Sequence, residues 1–175
     1  SKIGADHVES VANLPATWAR WSTGWAFCKP LALRETAGID RAGEPVDVLV
    51  GFRDDQVHDL YREVRVGRAE RPTGRLSEVP SQVYDVKVRN GRRTCHVVFL
   101  ADVAANKQAD YLIFYGNREA ELPAYPTDLK VAGQGVGLDV ENRHFLARLS
   151  RQMGQLERLT YKREHGLELY AGGKG

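Results

Sequence analysis

The chain has 175 residues, 42% hydrophobic and 27% charged, with 25 lysines and arginines against 23 acidic residues. That balance is the one of a globular chain with a sizeable core, either one ordinary domain or one of about 130 residues with a smaller piece attached. A formal net charge of +2, interleaved along the sequence, excludes the concentrated basic face that nucleic acid requires, and the apolar runs at 97–101 and 111–115 are far shorter than the roughly 20 residues of a membrane helix.

The N-terminal segment, 1–25, is mixed in character. Asp6 is placed to cap a short helix running to Leu14, with Pro15 ending it. Trp18, Trp21 and Trp25 follow, the only tryptophans of the chain. Spacings of three and four would align them on a helix face, although Ser22, Thr23 and Gly24 argue against a helix that long. Such a cluster can stack on sugar rings, anchor a partner protein or seal a core.

From Ala26 to Glu121 the pattern is that of strands. Phe27–Arg34 carries Pro30, which suits an edge strand or a strand start. A polar loop at Glu35–Glu44 leads into Pro45–Phe52, whose β-branched residues and alternation predict a strand. Between Arg53 and Ala69 a loop or short helical turn precedes a strand from about Leu60 to Gly67. A hairpin is predicted with Val83, Asp85 and Lys87 alternating against Gln82, Tyr84, Val86 and Val88, a type I′ turn at Asn90-Gly91, and a return over Thr94–Val103. After a short connection at Ala104–Ala109 comes a strand over Asp110–Tyr115, ending at Gly116-Asn117.

Pro123 and Pro126 mark 122–128 as an extended linker. Beyond it, 129–175 predicts strands at Leu129–Ala132, Leu138–Glu141, His144–Ser150, Gln155–Arg163 and Leu167–Tyr170, with Gly133–Gly137 as a loop and turns at Met153-Gly154 and His165-Gly166. The fold class expected is all-β, an antiparallel β-sandwich or barrel followed by the first strands of a second β-sheet domain. Those last strands have little room to close before the sequence ends. Leu138, Val140, Phe145, Leu149, Leu156, Leu159 and Tyr161 would then expose an apolar face, and the expectation is docking strands completed by another polypeptide.

No constellation carries recognisable chemistry, and the catalytic residues stay unknown. The GQGVG run at Gly133–Gly137 lacks the Lys-Ser/Thr and the following helix of a phosphate loop. His7, His58, His96, His144 and His165 have no metal-ligand spacing, and no metal is expected from them. Asp139 and Glu141 share a strand face, yet they read as solvent-facing partners of Leu138 and Val140 and not as a glycosidase pair. Structural calcium at Asp54-Asp55 is conceivable without any EF-hand loop, and no other cofactor is expected. Cys28 and Cys95 could pair in an oxidising compartment or be two buried thiols, the second being the stronger reading for Cys95. The basic run Arg89–Arg93 reads as a solvated turn.

Two stretches carry a resemblance. Ala101–Ala120 (ADVAANKQADYLIFYGNREA) resembles the strand and loop ending in Tyr-Gly-Asn of β-sandwich or barrel domains at the front of large secreted bacterial proteins, where it follows a segment like Arg34–Val46. The tail from Glu141 to Leu169 resembles the first strands of the β-supersandwich of polysaccharide lyases and mutarotase-like enzymes, including rhamnogalacturonan-lyase-like proteins. The resemblance implies a secreted or periplasmic, non-catalytic N-terminal β-domain chain of a polysaccharide-processing protein, a lyase or glycoside hydrolase, with catalysis in another polypeptide or a downstream domain. The alternatives are a self-sufficient carbohydrate- or protein-binding module acting through Trp18, Trp21 and Trp25, and a small enzyme acting on carbohydrate.

Overall fold

Runs of alternating β-branched and aromatic residues set the architecture, because their branched side chains pack on a pleated surface. The computed structural model describes residues 2–70, 74–162 and 166–171, and the chain divides into two compact units, Ser1–Ala124 and Tyr125–Gly175. The fold is all-β, with three sheets, two short α-helices and one 3-10 turn among the described residues.

The first unit runs β1 (Lys2–Ile3), β2 (Glu9–Ser10), α1 (Ala16–Ser22), β3 (Phe27–Arg34), β4 (Arg41–Arg53), α2 (Leu60–Glu63), β5 (Arg65–Glu70), β6 (Arg75–Val79), β7 (Ser81–Arg89), β8 (Arg92–Val103) and β9 (Gln108–Tyr115). It forms a four-stranded sheet in the order β1-β4-β8-β7 and a five-stranded sheet in the order β2-β3-β9-β5-β6. Val48, Val50 and Phe52 of β4 and Cys95, Val97 and Phe99 of β8 share one buried core with Val66 of β5 and Tyr111, Ile113 and Tyr115 of β9. The two sheets therefore bury their inner faces against each other as a sandwich. Phe52 meets Tyr115 edge-on at 4.9 Å and Phe99 meets Tyr111 at 5.0 Å, and each such side chain contributes roughly 1.5–3 kcal/mol by burial.

One cation sits inside this core. Lys29 is fully buried, and its ammonium donates to the carbonyls of Gly4, Ala5 and His7 while lying 5.6 and 5.2 Å from the ring centres of Phe52 and Tyr115. All three N–H donors are thereby used on the N-terminal segment, which closes the end of the sandwich. Burial lowers the Lys29 pKa to about 8, with Asp6 pulling the other way. The same segment lies so close to β4 that a Cβ on Gly51 would stand 2.9 Å from the Ala5 nitrogen. A buried carboxylate orders the next connection: Glu35 accepts from the backbone N–H groups of Asn106, Ala37, Gly38 and Ile39, which hold its pKa below the usual range.

Several local expectations are corrected. No helix starts at Asp6, because 4–7 is a tight turn, closed by the His7 N–H donating to the Gly4 carbonyl and fastened by Lys29; a 3-10 turn at Val11–Asn13, capped by the Ser10 side chain, follows instead. Pro15 precedes α1 instead of ending a helix, a place where its missing N–H costs nothing. β4 begins at Arg41, inside the predicted loop, and its bulge between Arg41 and Glu44 contains Gly43 at φ 63°. The predicted strand from Leu60 is helical through Glu63, since Asp59 caps it and the Glu63 carboxylate accepts from the N–H groups of His58 and Asp59. β6 was not anticipated, its five residues being too short and polar to stand out. One pairing departs from the antiparallel pattern, the two-residue parallel match of β1 with β4.

The hairpin forms as predicted, with Asn90 at φ 51° and Gly91 at φ 71°. Its alternation does not run straight through, however. Tyr84 faces His96 and Lys87 faces Thr94, so Asp85 and Val86 together oppose one residue of β8. This bulge turns both Val83 and Val86 onto the core.

The second unit is a single antiparallel meander of β10 (Lys130–Gln134), β11 (Gly137–Glu141), β12 (Phe145–Leu149), β13 (Leu156–Tyr161) and β14 (Leu167–Ala171), paired in sequence order. The predicted loop at Gly133–Gly137 is mostly strand: Gln134 pairs with Gly137, leaving Gly135-Val136 as the turn. Gly135 has φ 61° and Val136 does not have a positive φ, the type II′ pattern. A Cβ on Gly133 would stand 2.2 Å from the Gly137 carbonyl oxygen. Arg163, the end of the strand predicted from Gln155, and His165, in the predicted last turn, lie outside the described residues.

Replacing Lys29 by Met takes the ammonium from the carbonyls of Gly4, Ala5 and His7, of which Ala5 belongs to a buried residue and Gly4 keeps the His7 N–H, at a cost of about 1–3 kcal/mol after the relieved burial of the charge is set against it. The sign of the pH dependence follows from the lowered pKa: between about pH 8 and the usual lysine value the unfolded chain holds the extra proton, so the Lys29 contribution grows as pH rises through that window. Urea unfolding of wild type and Lys29→Met at several pH values should show the gap widening with pH; a gap that narrows contradicts the assignment.

Candidate functional site

Strand register decides which side chains of the second unit face together. Val131, Val140, Ala147, Leu159 and Tyr170 form one continuous cross-strand row. Leu138 lies on the same side of β11, and Phe145 opposes Tyr161, which opposes Leu167; the Phe145 and Tyr161 rings stand 5.3 Å apart. Two bulges extend the pattern. The first, at Glu157, lets Leu149 pair with Leu156 on this face although Leu156 and Leu159 are three residues apart. The second, at Leu169, brings Tyr170 back beside Leu159.

All seven residues singled out as docking positions, Leu138, Val140, Phe145, Leu149, Leu156, Leu159 and Tyr161, thus share one face. Among the described residues, no charged strand side chain belongs to it. Leu146, opposite Glu141, points the other way. Each of these side chains is half-buried or exposed, and none belongs to either hydrophobic core. Among the described residues, the unit contains no further strand or helix to pack on this face.

The opposite face is ionic. Arg148 makes a two-pronged pair with Asp139 at 2.9 and 3.1 Å, Arg158 meets Glu168 at 3.1 Å, and Lys162 donates to Glu141 and to the Asn142 carbonyl. Arg148 holds the Asp139 carboxyl below its usual range, and Lys162 does the same for Glu141. Asp139 and Glu141 are therefore committed to cations and kept ionised, the wrong state for a general acid.

The tryptophans occupy the outer side of the five-stranded sheet. Trp18 and Trp21 ride on α1, while Trp25 follows Gly24, whose φ of 94° ends the helical course. All three are half-buried and pack on Cys28, Ala69, Leu76, Leu112 and Phe114. Trp21 meets Phe114 edge-on at 4.9 Å and stacks with Trp25 at 6.4 Å, and the Arg65 guanidinium lies 5.6 Å from the Trp25 ring. Of the three readings open from sequence, this packing supports the core one.

Cys28 and Cys95 are free and buried, in different cores, and burial pushes each thiol up to about 12. Asp54 pairs with Arg93 and Asp55 with Arg53, so the acidic loop's charges are already met. Arg92 of the basic hairpin turn pairs with Asp6.

One cluster escaped sequence reasoning. Asp47 accepts from the Tyr84 hydroxyl at 2.6 Å and lies 2.7 Å from His96 Nδ1, with the Tyr84 and His96 rings 4.8 Å apart. The bonds from Tyr84 and His96 hold the Asp47 carboxyl low. A carboxylate orienting a histidine resembles part of a catalytic relay, but all three side chains are partly open to water on a sheet surface. The arrangement works as a cross-strand clamp joining β4, β8 and β7. Only the bulge-shifted register brings Tyr84 opposite His96, which no spacing in the sequence signals.

Compared with protein-family models, curated proteins and solved structures, the chain matches none.

Trp21→Ala should cost about 2–4 kcal/mol by emptying the space beside Phe114, read as a lowered urea midpoint. Unchanged stability with loss of a binding activity would show instead that the indoles are a contact surface.

Proposed function

We propose that this chain is a non-catalytic β module of an exported polysaccharide-processing assembly, and that it joins the assembly through the apolar face of its second unit, which another polypeptide covers. The observation that carries the reading is the register: two hairpins, β11–β12 and β12–β13, and the bulge at Glu157 gather Leu138, Val140, Phe145, Leu149, Leu156, Leu159 and Tyr161 on one face that is uncharged among the described residues. A contiguous apolar patch of this kind marks an interaction site. The polysaccharide setting and the location outside the cytoplasm are supported by the resemblance of Ala101–Ala120 and Glu141–Leu169 to carbohydrate-active proteins.

The first unit supports the non-catalytic part. Its buried ionisable groups are spent on structure, Lys29 on the N-terminal carbonyls and Glu35 on a loop. Its Asp-His-Tyr cluster sits on an open surface, where water is not excluded and electrostatic stabilisation of a transition state is weak.

Two measurements on the full chain test the reading. Incubated with pectic polysaccharide, the chain alone should release no unsaturated or reducing ends. It should also bind a hydrophobic dye such as anilinonaphthalene sulfonate, and Val140→Asp should remove more than half of that signal. Turnover by the chain alone, or dye binding indifferent to Val140→Asp, would overturn it.

A further inference from the structure

Resting on the reading of the second unit as an assembly surface, we infer that its occupant is a second copy of this chain, the two apolar sheet faces packing as a face-to-face β-sandwich about a two-fold axis. Area is the first argument. Strand spacing and rise give a five-stranded, five-residue face a footprint of roughly 400 Å². Side chains stand well above it: Val131, Phe145, Leu156, Leu167 and Tyr170 retain 58%, 41%, 37%, 58% and 46% of their surface. The accessible apolar area is then on the order of the 800 Å² per partner that a standard stable interface buries.

Charge is the second argument. Stacking two copies of this face brings no charge against charge among the described residues, because every described strand residue on it is uncharged, while Asp139, Glu141, Arg148, Arg158, Lys162 and Glu168 lie on the far side in internal pairs. Like charges opposed across an interface would cost several-fold in affinity or more. Here a copy meets only aliphatic and aromatic side chains. Geometry is the third. Both partners have the same twist, so their sheets can align at the small angle and roughly 10 Å separation of ordinary sandwiches, and a two-fold interface needs only a self-complementary patch.

The test is sedimentation of the full chain over a concentration series, with Leu159→Lys and Val140→Asp on the apolar face and Arg158→Ser on the ionic face. Wild type and Arg158→Ser should show a reversible dimer. Either apolar-face variant should weaken it roughly 100-fold or more, since each buries an unpaired charge. The three tryptophans all lie in the first unit, so an unchanged near-ultraviolet dichroism band confirms that a variant's first unit is folded. A wild-type monomer at all concentrations overturns the second copy. If that monomer still binds the hydrophobic dye, the assembly surface stands with a different occupant, a lipid surface when it co-floats with phosphatidylcholine vesicles and another protein when it does not; if it binds no dye, both readings fail. A dimer indifferent to both apolar-face variants overturns the proposal as well.

Discussion

A sheet with one apolar face must bury that face, and this constraint organises both units. In the first, two sheets satisfy each other: Val48, Val50 and Val97 from one side meet Val66, Tyr111 and Ile113 from the other. In the second, five strands make one sheet, and the unit has no second layer among its described residues. The same hydrophobic driving force that closes the first unit is left unspent in the second.

The edges tell the same story. β2 pairs with β3 only at Phe27 and Cys28, and β1 pairs with β4 only at Leu49 and Val50. Among the described residues, nothing pairs with the remaining lengths of these edges of β3 and β4, and each strand carries a proline, Pro30 or Pro45, which removes a donor and discourages a foreign strand. β4 adds a bulge near Gly43. Lys29 then fastens the N-terminal segment across the end of the sandwich with three hydrogen bonds. The strands of the second unit contain no proline.

Much of this was legible from residue types. The all-β class, the Asn90-Gly91 hairpin and most strand cores follow from alternation and from residues that accept positive φ. What stayed hidden depends on contacts far apart in sequence. Lys29 reads as an ordinary strand lysine until the carbonyls of Gly4, Ala5 and His7 arrive. The Asp47, Tyr84 and His96 clamp needs a bulge at Asp85 that local pattern does not announce. Leu156 and Leu159 both belong to the apolar face expected from the sequence, but three residues apart they would fall on opposite faces of a regular strand, and the bulge at Glu157 that reconciles them is not announced by the pattern. The short helical turn expected before Leu60 instead occupies Leu60–Glu63 and delays the strand to Arg65, because the Asp59 cap and the Glu63 carboxylate, bonded to the N–H groups of His58 and Asp59, fix the turn there.

The central claim is that the apolar face of the second unit is where this protein acts. Carbene footprinting of Phe145, Leu159 and Tyr161 across a dilution series tests it most directly. The account predicts strong labelling at low concentration and progressive protection as the chain is concentrated, with Tyr111 and Ile113 of the first core protected throughout. Protection of Phe145, Leu159 and Tyr161 that is complete and independent of dilution would mean that the face is already buried within the single chain, and would contradict it.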